Sequence, residues 1–179
     1  MPRAPEQGGR AALSGARTQR TRTRALTSIL EGAPAPDFSL DDQHGRPAAL
    51  SSLRGAPVLV VFYPLAFSGV CSGELAELAE LHPRFAETGT QVLAVSVDSV
   101  FALRTWSDRE GFPFRLLSDF WPHGAVAESY GVFDAERGVA RRGSFLIDAD
   151  GVVRWSDHTP VSEPRDMARA LERSRVLTA

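Results

Sequence analysis

The chain has 179 residues, of which 43% are hydrophobic and 23% charged, and its formal net charge is -2. These values fit one globular domain with an apolar core, and the small charge gives no indication of a nucleic acid or a membrane as partner of the whole molecule. The single cysteine excludes an internal disulfide framework and a multi-cysteine metal cluster. An unpaired thiol suits a reducing compartment, so the sequence predicts a cytoplasmic protein.

The first thirty residues differ in composition from the rest of the chain. Up to Arg24 they contain six arginines against the single acid Glu6, and no aromatic residue. Such a segment cannot bury enough apolar surface to offset its ordering entropy. A basic, acid-poor start is also typical of a transit peptide or a nucleic-acid arm. We prefer a disordered basic N-terminal extension over residues 1–30, followed by one folded domain over residues 31–179.

The folded domain shows alternating strand and helix patterns. The run Val58 to Tyr63 is a continuous apolar stretch rich in β-branched and aromatic residues, which predicts a strand buried on both faces. Apolar residues at three- and four-residue spacings from Leu75 to Phe85 then predict a helix, ended by Gly89. Later patterns predict a strand over 91–97 and a helix over 100–110, which is capped by Asp98 or Ser99 and closed by Gly111. They also predict a short helix ending at Tyr130, a hairpin of 143–148 and 152–156, and a helix over 163–176. This order implies a mixed sheet with helices on both faces.

Cys71 lies in the stretch YPLAFSGVCSGE, at or near the first turn of the helix that follows the first predicted strand. Free amide hydrogens and the positive end of the helix dipole favour a thiolate there, and the thiolate is the nucleophilic form. Pro64 turns the chain without a donor, and Ser68 offers a hydroxyl three residues before the sulfur. Lone cysteines are, however, usually inert and buried. The residues alone leave both a nucleophile and a small core residue open.

The spacing of Pro64, Ser68 and Cys71 resembles the Pro-x-x-x-Thr/Ser-x-x-Cys active-site pattern of the peroxiredoxin family. The similarity runs through most of residues 32–171, beginning with GAPAPDF at 32–38. The stretches FYPLAFSGVCSGEL, LLSDFWPHGAVAESYGVF and ARRGSFLID resemble the AhpE-like one-cysteine branch. The resemblance implies an α/β thioredoxin-like fold, with a central mixed β-sheet flanked by helices on both faces, and the reduction of hydrogen peroxide, organic hydroperoxides or peroxynitrite.

The resemblance also implies roles for individual residues. Cys71 attacks the peroxide, and Arg142 stabilises both the thiolate and the leaving oxygen. Ser68 donates a hydrogen bond to the peroxide and Pro64 shields the pocket from water. Glu74 holds the arginine in place.

Arg141 competes with Arg142 for the role of the inward-facing arginine. Strand alternation sends neighbouring side chains to opposite faces, so at most one of the two points inward. The similarity to the family selects Arg142. No metal and no organic cofactor is required by this chemistry.

Two departures from the family pattern have consequences. Ser68 stands where Thr is commoner and lacks the methyl that fixes the rotamer of the hydroxyl, so we expect some loss of rate or orientation. The chain has no second cysteine, so an external thiol must reduce the sulfenic acid of Cys71. The sequence does not choose between a mycoredoxin-, glutaredoxin- or thioredoxin-like protein and a low-molecular-weight thiol as reductant.

Two further predictions concern partners. The resemblance implies a homodimer formed near the active site, and Phe67 and Trp121, beside turn residues, are candidates for a pocket wall or that contact. The main alternative function is a redox-sensing or thiol-transfer protein, in which oxidised Cys71 forms mixed disulfides with partners. The four histidines show no zinc-ligand spacing.

Overall fold

The computed structural model describes residues 29–178. The predicted basic extension over residues 1–30 therefore lies outside the described residues except for its last two, of which Ile29 packs against the core and Leu30 is exposed. The strands are β1 (Ser39–Asp42), β2 (Pro47–Ala49), β3 (Val58–Phe62), β4 (Gln91–Ser96), β5 (Arg115–Ser118), β6 (Phe133–Asp134), β7 (Val139–Ala140), β8 (Arg142–Ile147) and β9 (Val153–Thr159). The helices are α1 (Gly69–Glu87), α2 (Val100–Glu110), α3 (Ala125–Ser129) and α4 (Met167–Thr178), with a 3-10 helix over Leu50–Leu53.

Strand β3 lies inside a seven-stranded sheet of order β2-β1-β5-β4-β3-β8-β9. It pairs in parallel with β4 and antiparallel with β8. Strand β5 continues the parallel part beyond β4, whereas β1 and β2 on one side and β9 on the other are added by antiparallel pairing. The sheet is mixed because α1 and α2 cross over between parallel strands, while β8 and β9 form a hairpin that runs the other way. Strands β6 and β7 form a separate two-stranded ribbon.

The side chains of β3 divide the core into two layers. Val58, Val60 and Phe62 pack on one side with residues of the 3-10 helix and α3. Leu59 and Val61 pack on the other side with apolar residues of α1, α2 and α4. A strand that is covered on both faces has to be apolar at every position, which explains the continuous hydrophobic run. The predicted arrangement, a mixed sheet with helices on both faces, is confirmed.

Local sequence signals account for the ends of the long helices. Helix α2 has the predicted bounds, and the Ser99 hydroxyl accepts a hydrogen bond from the backbone N–H of Ala102 at 3.4 Å. Gly111 ends this helix with φ at 70°, a left-handed conformation that glycine adopts at little cost. Helix α1 ends at Glu87, just before Gly89, whose φ is 69°. No helix within residues 29–178 is both long enough and apolar enough to cross a membrane.

Some predicted boundaries were wrong. The last helix spans Met167–Thr178 instead of residues 163–176, and in the segment before it the backbone N–H of Arg165 donates to the Glu74 carboxylate at 2.7 Å. The second hairpin strand starts and ends later than predicted, at Val153 and Thr159. The pairs β1–β2 and β6–β7 were not predicted at all. Strands of two to four residues are too short to show a periodic pattern.

Candidate active site

Sheet pairing brings the start of β8 to the end of β3. In the antiparallel register between β3 and β8, Phe62 lies opposite Gly143. Arg142 precedes Gly143 and is therefore one position beyond the last residue of β3, where the chain enters the loop that leads to α1. Residues almost eighty positions apart in the sequence thus meet at one edge of the sheet.

The loop between β3 and α1 is anchored by a hydrogen bond that it donates to Asp98, a residue just after β4. Asp98, just after β4, accepts a hydrogen bond from the backbone N–H of Ala66 at 2.8 Å and another from the Ser96 hydroxyl at 2.8 Å. Phe67 follows with φ at 62°, a left-handed conformation that is uncommon for a residue other than glycine. These contacts fix the path of the chain immediately before the cysteine.

Ser68 is the N-cap residue of α1, but its hydroxyl makes no capping hydrogen bond. Its carbonyl accepts the first hydrogen bond of the helix, from the backbone N–H of Ser72 at 2.8 Å. A serine at this position usually uses its side-chain oxygen to satisfy a free helix N–H. The Ser68 hydroxyl is therefore left available for a ligand.

Cys71 is the third residue of α1, and its side chain is fully buried. It belongs to the core layer that also contains Tyr63, Leu75 and Trp106. Burial raises the pKa of Tyr63 well above its usual range, so this neighbour stays neutral. Cys71 thus lies both in the core, as a small core residue would, and at a helix N-terminus, where a nucleophilic thiolate is favoured.

Glu74 lies one turn further along α1 and sits between two buried arginines. Its Oε2 accepts a hydrogen bond from Nη1 of Arg142. Arg165 donates to the same carboxylate three times, from its backbone N–H at 2.7 Å, from Nε at 3.0 Å and from Nη2 at 3.1 Å. Two cations and one anion are thus removed from water together, and such burial requires this degree of pairing.

The other hydrogen bonds of the two guanidinium groups are donated mainly to backbone carbonyl oxygens. Nε of Arg142 donates to the carbonyl of Val161 at 2.9 Å. Nη1 of Arg165 donates to the carbonyl of Gly143 at 2.8 Å and to the Ser144 hydroxyl at 3.2 Å. Nε and Nη1 of Arg142 are therefore both engaged by oxygen atoms of the protein.

The neighbouring arginine, Arg141, faces outward. Its side chain is 47% exposed and lies 4.0 Å from the Asp134 carboxylate, whereas the side chain of Arg142 is 2% exposed. Sequence reasoning missed Arg165, because a lone arginine in a region predicted as a helix gives no sign of burial. No other signal in the sequence marks it.

A cavity of about 380 Å³ opens beside these residues. Its lining residues are Pro64, Leu65, Ser68, Gly69, Val70, Arg137, Val139, Arg142 and Val161. Of the predicted site residues, Pro64, Ser68 and Arg142 line the cavity. Glu74 lies behind Arg142, and Cys71 is buried next to the cavity without lining it. A larger cleft of about 570 Å³ elsewhere on the molecule contains none of the five.

The other residues singled out in the sequence do not line this cavity. Phe67 packs on Trp106 with ring centroids 5.7 Å apart and carries the Arg109 guanidinium 5.6 Å above its own ring. Trp121 is 80% exposed. Nε2 of His123 is hydrogen-bonded to the Gly138 carbonyl at 2.7 Å. Within residues 29–178 no group of His, Cys, Asp and Glu side chains could hold a metal ion.

Comparison with known proteins gives consistent results for the region that contains this site. A model described as the AhpC/TSA family matches residues 32–156. Alkyl hydroperoxide reductase E of Mycobacterium tuberculosis is 44% identical over 149 residues, which cover 83% of this chain and 97% of that protein. Peroxiredoxin 2 of Thermoplasma acidophilum is 34% identical over 142 residues, covering 76% of this chain and 70% of that protein.

Solved structures agree with these sequence matches. The crystal structure of peroxidoxin BcpB from Mycobacterium tuberculosis has a TM-score of 0.76 and 30% identity, covering 84% of this chain and 99% of that one. The crystal structure of AhpC from Enterococcus faecalis has a TM-score of 0.75 and 27% identity, covering 83% and 93% of the two chains. The family match includes the five predicted site residues but ends before Arg165.

Proposed function

The chain belongs to the AhpC/TSA family and is a peroxiredoxin, a thiol peroxidase, and we propose that Cys71 is its peroxidatic cysteine. One observation carries the proposal. The only cysteine in the sequence lies in the first turn of α1, beside a cavity whose wall holds the Ser68 hydroxyl and the Arg142 guanidinium. A nucleophile thus lies next to a cavity whose wall carries two hydrogen-bond donors, the combination that cleavage of an oxygen–oxygen bond requires.

The reaction is a two-electron oxidation of sulfur. The Cys71 thiolate attacks one oxygen of the hydroperoxide, an S–O bond forms and the O–O bond breaks. The second oxygen leaves with the bonding electron pair, takes up a proton and departs as water or an alcohol. Cys71 becomes a sulfenic acid, and the peroxide is reduced. Hydrogen peroxide, organic hydroperoxides and peroxynitrite all fit this scheme, and peroxynitrite would leave nitrite.

The residues in and behind the cavity wall have separate roles in this step. The Arg142 guanidinium, which lines the cavity, donates to the oxygen on which negative charge develops. Ser68 donates its unused hydroxyl to the peroxide and orients it. Pro64 shields the cavity from water without adding a backbone donor. Glu74 and Arg165 act through Arg142 and hold its guanidinium against the cavity.

An external thiol completes the cycle, because the sequence contains no second cysteine. This thiol condenses with the sulfenic acid to a mixed disulfide and releases water, and a second thiol then releases reduced Cys71. The start of α1 has to move in this half of the cycle, since a sulfur that is fully buried cannot meet a bulky thiol. The reductant is a mycoredoxin-, glutaredoxin- or thioredoxin-like protein, or a low-molecular-weight thiol.

Two finer assignments belong to the proposal. A protein that depends on a free thiol and a thiol reductant operates in the cytoplasm, where thiols are kept reduced. A homodimer is supported by large apolar side chains that are exposed, among them Leu65 of the cavity wall, Phe67, Phe120 and Trp121. The redox-sensor alternative is not favoured, because the relatives reported above are named as peroxiredoxins and a hydroperoxide reductase.

Stopped-flow fluorescence of the reduced protein tests the proposal. Trp106 lies in the same core layer as Cys71 and serves as the intrinsic reporter. We expect oxidation by hydrogen peroxide to be orders of magnitude faster than for a free thiol and to vanish in Cys71→Ser. Arg142→Ala should slow it about 100- to 1000-fold, the usual effect of removing a donor from a charge-stabilising site.

Arg141→Ala is the matched control, because this neighbouring arginine is exposed and faces away from the cavity. It should oxidise like the wild type. Arg142→Lys guards against loss of folding, because it keeps the buried positive charge and should lose rate while remaining folded by circular dichroism. A wild-type rate no higher than that of a free thiol would refute the peroxidase assignment of Cys71.

A further inference from the structure

The larger cleft, of about 570 Å³, lies at the opposite end of the central strands from Cys71. Its lining includes Gln91, Val92 and Leu93, the first three residues of β4. Strands β3 and β4 run in parallel with Val58 opposite Gln91, so the starts of both strands lie away from the loop that leads to Cys71. The cleft is therefore separate from the site proposed for the peroxide, and its volume suits a small organic molecule.

The turn that follows β1 forms one wall of this cleft and is tied to neighbouring segments. Oε1 of Gln43 accepts a hydrogen bond from the backbone N–H of Leu116 at 2.9 Å, and its Nε2 donates to the Phe114 carbonyl at 3.3 Å. The backbone carbonyl of Gln43 accepts a hydrogen bond from Nε of Arg104 at 2.9 Å. Gln43 is buried, so water does not compete for these bonds. This wall is thus formed before a ligand arrives.

Four basic side chains line the cleft, which are His44 and Arg46 of this turn, His82 of α1 and Arg115 of β5. Its one acidic residue, Asp42, is buried, and its Oδ1 accepts the backbone N–H groups of His44 and Arg46 at 2.8 and 3.0 Å. Among residues 29–178 none of the four basic side chains takes part in an ion pair. The two arginines outnumber the single carboxylate, and this excess of positive charge favours an anion.

A second wall of the cleft is aromatic. The rings of Phe112 and Phe114 stack with centroids 5.4 Å apart and planes at 17°, and the His82 ring lies 6.0 Å from that of Phe114. Phe112 also packs edge-on against the buried ring of Trp106, at 5.1 Å. Phe112 is half-buried and Pro113 is exposed, and both line the cleft. Such a surface gains free energy when the ring of a ligand covers it.

We propose that this cleft is a second binding site, for phosphate esters that carry an aromatic ring. The phosphate lies against Arg46 and Arg115, since a planar guanidinium donates two parallel hydrogen bonds to phosphate oxygens. The ring of the ligand covers Phe112 and Pro113. A phosphate ester is favoured over a carboxylate because it carries more than one negative charge at neutral pH, which suits a pair of arginines. No bond is made or broken in the cleft.

Probes that share one ring system test the requirement for charge. Isothermal titration calorimetry of the full chain would compare 1-naphthyl phosphate, 1-naphthoate and 1-naphthol. We expect the phosphate to bind about tenfold more tightly than the naphthol, because one exposed ion pair contributes up to about fivefold in affinity. The carboxylate should lie between them, and the affinities should converge as salt is raised. Equal affinities at low salt would overturn the proposal.

Inorganic phosphate tests the requirement for a ring. It carries the same kind of charge as 1-naphthyl phosphate and lacks the apolar part. We expect it to bind about tenfold more weakly, because it leaves the aromatic wall in contact with water. Equal affinities of the two phosphates would overturn the aromatic part of the assignment.

Single substitutions locate the site. Arg46→Gln and Arg115→Gln should each weaken binding of 1-naphthyl phosphate about fivefold and leave that of 1-naphthol unchanged. Both arginines are exposed, so neither change should affect folding. Arg173→Gln, which removes an exposed charge of α4 that does not line the cleft, should bind as the wild type does. Wild-type affinity in both cleft variants would overturn the proposal, because the anion would then bind elsewhere, for example at the arginines of residues 1–24.

A second readout separates this cleft from the cavity beside Cys71, which also contains arginine. Saturating 1-naphthyl phosphate should leave the rate constant for oxidation of Cys71 by hydrogen peroxide unchanged, as measured by quenched-flow alkylation of the remaining thiol. A large fall in this rate constant, with full binding in Arg46→Gln, would place the probe in the active-site cavity and overturn the proposal. The binding measurements do not depend on peroxidase activity, so this inference and the proposed function fail or succeed separately.

Discussion

Glu74 on α1 and Arg142 on β8 are joined by a hydrogen bond from Nη1 to Oε2, and their side chains are 1% and 2% exposed. A second buried guanidinium, that of Arg165, holds the opposite side of the same carboxylate. The arginine proposed to act on the peroxide is therefore part of a buried ionic cluster that spans a helix, a strand and the segment before α4. Its position depends on partners that never touch the substrate.

Glu74→Gln should impair both stability and activity. The variant leaves two buried guanidinium groups without a carboxylate, and the removal of one partner from a buried ion pair costs about 3–5 kcal/mol. We expect a lower midpoint in urea unfolding and slower oxidation of Cys71 by hydrogen peroxide. Glu80→Gln, an exposed change on the same helix, is the control. Unchanged unfolding and full activity in Glu74→Gln would show that the cluster does not position Arg142.

Arg165→Lys should slow oxidation of Cys71 while retaining a positive charge. Lysine cannot reproduce the paired contacts to both carboxylate oxygens or reach Gly143 and Ser144 at the same time. If Arg165 positions Arg142 through Glu74, a small displacement at the cavity should reduce the rate constant by up to about 100-fold. Arg169→Lys, an exposed change on α4, should have no effect.

A purely structural role for Arg165 predicts a different outcome. In that case Arg165→Lys would lower the urea midpoint and leave the rate constant of the folded fraction unchanged. Measuring both quantities on the same preparation separates the two roles.

Asp98→Ala should loosen the loop before α1. The carboxylate holds the backbone N–H of Ala66 and the hydroxyl of Ser96, each at 2.8 Å, and the loss leaves both donors without this partner. We expect a stability loss of about 1–3 kcal/mol, faster proteolytic cleavage between Tyr63 and Ser68, and slower oxidation of Cys71. Asp108→Ala, in which an exposed acid of α2 is removed, should resemble the wild type. If Asp98→Ala is cleaved no faster than the wild type, the result would argue against Asp98 as the anchor of this loop.

Asp119 provides a pH-dependent prediction for the segment before α3. Desolvation by burial raises the pKa of its carboxyl above the ordinary value of 3.8, although the N–H groups of Val126 and Ala127 lower it in part. An acid whose folded pKa is raised binds its proton more tightly in the folded state, so its contribution to stability is fully present below pH 3.8 and declines as pH rises through the folded value.

Comparison with Asp119→Asn tests this sign. The asparagine does not titrate in this range but keeps an oxygen acceptor. The wild type should therefore gain stability relative to Asp119→Asn as pH is lowered from neutral toward 3.8, measured by urea unfolding across that window. The opposite trend would mean that the two backbone donors outweigh burial and hold the pKa down.

The sequence by itself determined the elements with strong local signals. The run Val58 to Tyr63 can only be a strand covered on both faces, and α2 took its predicted bounds because Ser99 and Gly111 carry capping chemistry in the sequence. The proximity of Pro64, Ser68 and Cys71 followed from spacing within one strand–loop–helix unit. These features depend on residues a few positions apart, which is why composition and periodicity reveal them.

Only the tertiary structure decided what surrounds that unit. The antiparallel register that sets Phe62 against Gly143 brings Arg142 to the loop, and sequence similarity selected this arginine without showing its partners. Arg165 and Arg137 carry no local signal, because burial and cavity lining depend on chain segments that meet only after folding. The sequence shows that a residue is charged, but only the folded chain determines whether its side chain is buried, paired or exposed.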